Sequence, residues 1–227
     1  MTFGGGLGDV KTLAHELGHA FHSRLLKDTR PFAARYPMTL AETASTFAER
    51  LLQNHLLDDP ATPQTVKQAV LGSRLDDSLT FLCDIPMRYF FEQALYAERG
   101  QGEVPLARIK ELVLAAQQEW FGPALDPAEQ DPMFWASKLH FYIISVSFYN
   151  FPYTFGYLLS LWIASSARAQ GSAFLPRYED FLRLTGGDTA ENVAHRALDQ
   201  DISTGGFWRL GLDEISADLA RFRELIG

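Results

Sequence analysis

Apolar residues recur at helical spacing along most of the chain, beginning just after a short glycine-rich start. The first stripe predicts a helix over Val10–Leu26 with Asp9 as its N-cap. The second stripe predicts a helix that Thr39 caps and that continues through Leu57. Because only a proline-containing loop separates the two, we expect them to form a helical hairpin.

The rest of the chain continues the helical pattern, with proline and glycine marking the ends of the predicted elements. Further helices are predicted from Thr62 to Gly100 with a kink or division at Pro86, over Pro105–Trp120, over Pro132–Ala169 with a bend at Pro152, and over Ala173–Leu184, Thr189–Leu198 and Leu212–Ile226. Strand-like alternation is nearly absent, and no internal repeat or long linker divides the chain. We therefore predict an all-α fold in which residues 1–227 form a single multi-helix domain.

Composition favours a folded protein and excludes several kinds of site and partner. The 227 residues are 47% hydrophobic and 21% charged, which is too apolar for a disordered chain. The formal net charge of −8 excludes nucleic acid as an expected partner, because binding a phosphate backbone requires a basic surface. The single cysteine, Cys83, rules out an internal disulfide and a cysteine-based zinc finger. Any metal site therefore has to use histidine and carboxylate side chains.

Neither a secretory signal nor a membrane span is expected. The first residues lack a basic segment followed by a long apolar one, which predicts a cytoplasmic location. Residues 141–167 carry no charged side chain and are long enough to cross a bilayer, but their polar content favours a buried helix that lines a cavity. One alternative stays open, in which the aromatic residues of Phe141–Trp162 hold an apolar ligand or a membrane surface.

The sequence His15-Glu16-Leu17-Gly18-His19 is an HExxH motif inside the first predicted helix. Residues four apart lie one turn apart on the same side of a helix, so both histidines can reach one zinc ion. Glu16 lies one step round the helix, where its carboxylate can act as the general base of metal-assisted hydrolysis. These residues predict a zincin-like catalytic domain with HExxH on a core helix.

A catalytic zinc site usually has three protein ligands, and three candidates for the third can be compared. His22 lies too far along the same helix to converge with the other two imidazoles. A metzincin site would need a glycine turn before a third histidine, and none follows. Glu42, in the first turn of the second predicted helix, is within reach of the loop and is the predicted ligand.

Two neighbouring residues have alternative interpretations that the sequence leaves open. Glu49 lies two turns beyond Glu42 on the same helix face, where it either orients a ligating imidazole or is a solvated surface glutamate. His22 is either a structural histidine or a residue that supports a ligand.

The motifs resemble those of the zinc peptidases of the oligoendopeptidase F and thimet oligopeptidase family, and the resemblance runs essentially from end to end. The matching segments are Thr2–Gly5, Asp9–His22, Leu40–Phe47, Lys138–Tyr142 and Phe148–Tyr157. The resemblance implies a mostly helical metallopeptidase that binds one zinc ion and cleaves short, unstructured peptides inside a deep channel. It also implies that folded proteins are excluded by size.

The resemblance also implies roles for individual residues. His15, His19 and Glu42 match the zinc ligands and Glu16 the catalytic base. The wall that faces the substrate is matched by His140 and by the tyrosines Tyr149, Tyr153 and Tyr157. Independently of the family, Tyr149, Tyr153 and Tyr157 are spaced by four and would share one helix face. A phenol there can donate a hydrogen bond to the oxyanion, and we favour Tyr153 and Tyr157 for this role.

The chain departs from the family in one respect. Family members have a long helical region before the HExxH helix, and here that helix begins close to the first residue. We expect that the N-terminal half is absent, that exposed apolar surface favours self-association, and that substrate confinement is weakened. An alternative function is therefore an inactive or weakly active metal-binding fragment, which acts as an interaction module or needs the missing half.

Overall fold

Every regular element of residues 2–227, which the computed structural model describes, is a helix or a helical turn, and none of these residues forms a β-strand. The α-helices are α1 (Leu7–Leu25), α2 (Thr43–Asp58), α3 (Gln64–Leu79), α4 (Ile85–Arg99), α5 (Leu106–Phe121), α6 (Phe151–Gln170), α7 (Leu175–Leu184), α8 (Ala190–Val193) and α9 (Gly205–Ile226). The predicted all-α fold is confirmed.

The ends of several helices differ from those predicted. Helix α1 begins at Leu7 instead of Val10, because the Asp9 carboxylate accepts hydrogen bonds from the backbone N–H groups of Gly4 and Gly6 and so caps the helix from within its first turn. Helix α2 begins at Thr43, after a short 3-10 turn, and helix α9 begins at Gly205, earlier than predicted. Helix boundaries depend on capping contacts that apolar spacing does not report.

The predicted kink or division at Pro86 is confirmed. A short π-helix, Thr80–Asp84, separates α3 from α4, and Pro86 follows in the first turn of α4. Proline is tolerated in a first helical turn, where its missing N–H would have had no intrahelical partner. The single helical region that the sequence predicts is thus two α-helices joined by a π-helical segment.

The predicted continuous helix over Pro132–Ala169 is wrong in its first half. Only 3-10 turns form before Asn150, at Phe134–Ser137 and Leu139–Tyr142, and α6 begins at Phe151. Pro152 lies in the first turn of α6, so it starts a helix where a bend was expected. The long apolar run therefore contains an irregular segment followed by one helix of 20 residues.

The chain divides into two compact units, residues 2–76 with Phe155–Gly227, and Asp77–Thr154. The first unit has a core built from α2, α6, α7, the π-helical turn Ala194–Leu198 and the start of α9. Its fully buried members include Leu40, Ala44, Leu159, Ile163, Phe181, Leu182, Val193 and Leu198. In the second unit α4 and α5 pack through Met87, Phe91, Leu112, Val113 and Ala116.

Helix α2 is also anchored by a buried ionic network in the first unit. Asp218 of α9 accepts from Arg50 of α2 at 2.6 Å and from Arg74 of α3 at 3.1 Å, and Arg74 also donates to the side chain of Gln53. Buried charges of this kind are stable only when each is paired. The network joins α2 to α3 and α9 on one side, which leaves the other side of α2 facing α1.

In the part of the chain that the structure describes, we find no helix that is both long and apolar enough to traverse a lipid bilayer.

Candidate metal centre

The α1–α2 hairpin depends on a close backbone approach at Gly18. This residue is buried, and a Cβ atom built on it would lie 2.5 Å from the carbonyl oxygen of Ala44 and 2.6 Å from the Cα atom of Ser45. Real Cβ atoms do not approach backbone atoms so closely, so only glycine fits here. The absence of a side chain lets the HExxH turn of α1 lie directly against the start of α2.

This packing brings His15, His19 and Glu42 together. The Nε2 atoms of His15 and His19 lie 3.5 Å and 3.6 Å from the same carboxylate oxygen of Glu42, and one ligand atom of each residue lies within 4.8 Å of the others. Two ligands bound tetrahedrally to zinc at 2.0–2.1 Å are about 3.4 Å apart, so the distances to Glu42 suit that ion. Two imidazoles and one carboxylate are also the ligand types that zinc prefers.

The cluster remains accessible to solvent. The side chains of His15 and His19 are 28% and 29% exposed, while that of Glu42 is 10% exposed. A site of this kind can accept a water molecule or a substrate in addition to three protein ligands, as catalytic zinc sites do. The donor set and its exposure therefore fit a catalytic metal centre better than a closed structural one.

Glu42 is held in place by the first turn of α2. It is the N-cap residue of this helix, and the Ser45 hydroxyl lies 3.1 Å from its Oε2 atom and 2.9 Å from its carbonyl oxygen. The Thr46 hydroxyl also donates to the Glu42 carbonyl, at 2.6 Å. Sequence reasoning missed Ser45, although its spacing of three from a candidate ligand in a helix is a usable signal.

The second nitrogen of His15 has a carboxylate partner. His15 Nδ1 lies 2.6 Å from Oε1 of Glu49, whose side chain is 15% exposed. This hydrogen bond and the negative charge of Glu49 raise the pKa of the His15 imidazole, and the carboxylates of Glu42 and Glu16 raise it further, against the opposing effect of burial. Of the two interpretations of Glu49, the structure favours the one in which it contacts the imidazole of a candidate ligand, His15.

His22 belongs to the protein core and not to the metal centre. Its ring is fully buried, lies 2.8 Å from the Thr185 hydroxyl and 3.2 Å from the Leu182 carbonyl oxygen through Nε2, and stacks on Tyr36. Burial lowers the pKa of His22 to about 4, so the ring is neutral at physiological pH. The structural interpretation of this histidine is therefore the better one.

Two further predicted residues lie in the same unit. Glu16 is exposed on α1, and its charge is close enough to raise the pKa of His15. Tyr157 lies on α6 with 7% exposure, next to Gly156, where a Cβ atom would lie 3.1 Å from the Cβ atom of Glu42. Helix α6 thus packs on the residue that carries the candidate carboxylate ligand.

His140 and Tyr153 lie in the second unit, where they form an aromatic cluster with Tyr149. The Tyr153 hydroxyl is 3.5 Å from His140 Nε2, and the two rings meet edge to face. Tyr149 stacks on His140 with ring centroids 6.0 Å apart, although it precedes α6 and does not share a helix face with Tyr153 as the spacing predicted. Burial and then the positive charge of Arg88 lower the pKa of His140.

A strained turn holds this cluster in place. Phe148 has a positive φ of 59°, which is unfavourable for a bulky side chain. Its N–H donates to Oε1 of the buried Glu92 at 2.9 Å, and the Asn150 side chain donates to Oε2 at 3.1 Å. Sequence reasoning missed Glu92, because a glutamate on a helix gives no sign of which distant backbone group it binds.

The profile of Peptidase family M3 matches residues 6–209. The chromosomal oligoendopeptidase F of Lactococcus lactis is 28% identical over 181 residues, which cover 79% of this chain and 29% of the relative. The oligopeptidase PepF of Bacillus subtilis is 25% identical and is covered to 27% of its length. The chain thus spans less than a third of these relatives.

Two crystal structures show the same fold. A Chlamydophila abortus protein assigned as a peptidase superposes with a TM-score of 0.80 and 25% identity, over 96% of this chain and 36% of that one. The oligoendopeptidase F of Enterococcus faecium gives a TM-score of 0.73 at 23% identity, over 97% of this chain and 40% of that one. The helical arrangement described above is therefore one that natural proteins of greater length contain.

Proposed function

Because the chain belongs to peptidase family M3, we propose that it is the catalytic part of a zinc-dependent oligopeptidase, which hydrolyses peptide bonds in short, unstructured peptides. The observation that supports this most strongly is the convergence of His15, His19 and Glu42 at distances that suit one zinc ion. The oligopeptidase names of the relatives agree with a substrate of this size. We treat both compact units as parts of a single catalytic domain.

In this proposal His15, His19 and Glu42 hold the ion, and Glu16 handles the proton. When bound, zinc supplies Lewis acidity, which polarises the scissile carbonyl and lowers the pKa of the attacking water. The Glu16 carboxylate accepts the proton of that water and delivers it to the leaving amine. Its exposure on α1, one residue beyond a ligand, leaves it accessible to both water and substrate.

Hydrogen-bond donors are also required where negative charge develops on the carbonyl oxygen. We assign this role to the phenols of Tyr153 and Tyr157, with His140 as a further donor. The contact between Tyr153 and His140 at 3.5 Å supports a paired role for these two. A tyrosine-to-phenylalanine change at the residue that contacts the oxyanion is expected to lower kcat by about 100-fold with little change in KM.

The proposal is tested by separating metal binding from catalysis. Glu16→Gln should keep one tightly bound zinc per chain and lose peptide hydrolysis by about 100-fold or more, measured with a quenched fluorescent peptide. Glu42→Ala should instead lose zinc affinity, measured by metal analysis after dialysis. Unchanged turnover in Glu16→Gln would refute the general-base role, and tight stoichiometric zinc at pH 7 in Glu42→Ala would refute the third ligand.

A second candidate function follows from the share of the relatives that the chain covers, 29% and 27%. In the first unit an apolar groove of about 410 Å³ is bordered by Leu17, Leu51 and Leu175, whose exposures are 58%, 47% and 50%. Such surface favours association. If the chain binds zinc but does not cleave the fluorescent peptide, this second function, a metal-binding module that associates through its apolar surface, is favoured over the peptidase.

A further inference from the structure

The two histidines of the HExxH motif differ in the contacts of their second ring nitrogen, Nδ1. His15 presents Nε2 toward Glu42 and has Oε1 of Glu49 at 2.6 Å from Nδ1. His19 presents its own Nε2 toward Glu42 at 3.6 Å, and among residues 2–227 no carboxylate lies within hydrogen-bonding distance of its Nδ1. The imidazole of His15 is therefore held by a hydrogen bond to a carboxylate, and the imidazole of His19 is not.

Glu49 is itself held from the opposite side. Its second oxygen, Oε2, lies 3.5 Å from Nζ of Lys11, and Lys11 donates to the Ser73 hydroxyl at 3.4 Å. Lys11 is one helical turn before His15 on α1, Glu49 is on α2, and Ser73 is on α3. These contacts connect α3, α1 and α2 to the imidazole of His15. One carboxylate oxygen of Glu49 contacts His15, and the other contacts Lys11.

This arrangement determines which nitrogen of His15 carries the proton. Both ring nitrogens of His15 face a carboxylate, but only Nδ1 is at hydrogen-bonding distance, 2.6 Å from Oε1 of Glu49, whereas Nε2 lies 3.5 Å from Oε2 of Glu42. Because a carboxylate accepts hydrogen bonds, the shorter contact places the proton of the neutral imidazole on Nδ1 and leaves the Nε2 lone pair available to a metal ion. The ammonium group of Lys11, 3.5 Å from Oε2, offsets the negative charge of Glu49 close to two other acidic side chains, Glu16 and Glu42. Without a hydrogen-bond acceptor at Nδ1, neither this tautomer nor this orientation of the imidazole ring would be fixed.

We propose that Glu49, held by Lys11, is a positioning residue that keeps His15 in the Nδ1–H tautomer with its Nε2 ready to bind the metal. Glu49 does not touch the reacting atoms and acts only through His15. The inference rests on the proposed role of His15 as a zinc ligand, and it deepens that role by naming the groups that prepare it.

The first test uses metal-free protein labelled with nitrogen-15. At a pH high enough for the imidazoles to be neutral, long-range proton–nitrogen NMR correlations distinguish the two tautomers of each ring. We expect wild-type His15 to be the Nδ1–H tautomer and Glu49→Ala to convert it to Nε2–H or to a mixture. The signals of His19 serve as an internal control and should not change between these proteins.

The second test measures zinc affinity by competition with a chelator. Glu49→Ala should weaken binding by about 10–100-fold, the usual effect of removing a group that orients a ligand. Glu49→Gln keeps an acceptor oxygen, and Lys11→Met keeps the carboxylate, so both should lose less than Glu49→Ala. Asp58→Asn, which removes a carboxylate from the same helix at an exposed pair with Arg221, should bind zinc as the wild type does.

The outcomes separate this inference from the proposed function. If wild-type chain does not bind one zinc, the proposed function fails, and the tautomer measurement on metal-free protein still decides the role of Glu49. If Glu49→Ala leaves the His15 tautomer unchanged, or binds zinc within twofold of the wild type while the wild type binds one ion, the positioning role is wrong. Thermal unfolding of each variant verifies that it is folded.

Discussion

The α1–α2 hairpin and the segment from Leu139 to Asn150 both carry candidate catalytic residues, but they hold them in different ways. The hairpin uses regular helices, in which spacings of three, four and seven residues place side chains side by side. The segment uses a 3-10 turn and a left-handed residue, which are held by one buried carboxylate. In a helix, the spacing along the sequence determines which side chains are neighbours. In an irregular segment, the backbone conformation depends on contacts with residues distant in sequence.

The largest effect is expected from Gly18→Ala in the hairpin. The added Cβ atom meets the backbone of Ala44 and Ser45, which cannot move aside as a side chain would. We expect a loss of about 3 kcal/mol or more in the free energy of unfolding, together with loss of zinc binding, because α1 and α2 are forced apart. Urea unfolding and metal analysis measure the two effects.

Gly8→Ala is the matched control, since it lies on the same helix and its added Cβ atom would meet nothing within 4 Å. Its stability should be unchanged or higher by up to about 1 kcal/mol. Equal behaviour of the two alanine variants would show that the hairpin does not depend on close packing at Gly18.

A smaller but still large effect is expected from Glu92→Gln in the second unit. The glutamine side chain has one acceptor oxygen, so either the Phe148 N–H or the Asn150 amide loses its partner in a buried site. We expect the free energy of unfolding to fall by about 2–3 kcal/mol, because a buried donor is left unpaired. Urea unfolding tests this.

Glu98→Gln on the same helix, where Glu98 pairs with Arg108 at an exposed position, should behave like the wild type. If Glu92→Gln is as stable as this control, the left-handed turn does not depend on the buried carboxylate. The contrast between the hairpin and the irregular segment would then be unfounded.

The pH dependence of stability tests the buried end of α1. The pKa of His22 is about 4 in the folded protein and 6.5 when unfolded, so the unfolded chain binds more protons as the pH falls below 6.5. The stabilisation is present above pH 6.5 and is lost toward pH 4. Between pH 7 and pH 5 we expect the metal-free protein to lose about 1–2 kcal/mol through this residue.

His22→Gln removes the titrating group, so its stability should fall less steeply over the same pH range than that of the wild type. Urea unfolding in the presence of a chelator at each pH gives the comparison. Parallel curves for the two proteins would mean that another group causes the acid sensitivity.

The smallest effect is expected from Ser45→Ala, which removes the hydroxyl next to the Glu42 carboxylate. Zinc affinity should fall about fivefold, equivalent to about 1 kcal/mol for one hydrogen bond. Ser216→Ala, which removes a hydroxyl that bonds only to a helix carbonyl on α9, provides the control and should bind zinc normally. A competition titration of both variants resolves a difference of this size.

Much of the fold could be predicted from apolar periodicity and helix-ending residues. The spacing of His15 and His19 and the two-turn separation of Glu42 and Glu49 follow from helix geometry, and the division near Pro86 follows from the limits that proline places on a helix. The prediction of a helix over residues 132–150 was wrong. A run of apolar and aromatic residues is compatible with helical spacing whether it is buried as a helix or as turns.

The sequence by itself determined that the chain is helical and that His15 and His19 lie one turn apart on the same side of a helix, because a helix repeats at a constant angle per residue. Only the tertiary structure decided that Gly18 lets the helices meet, that Glu49 rather than solvent contacts His15, and that His22 is a core residue. These choices depend on the approach of segments far apart in the chain, which local periodicity does not encode.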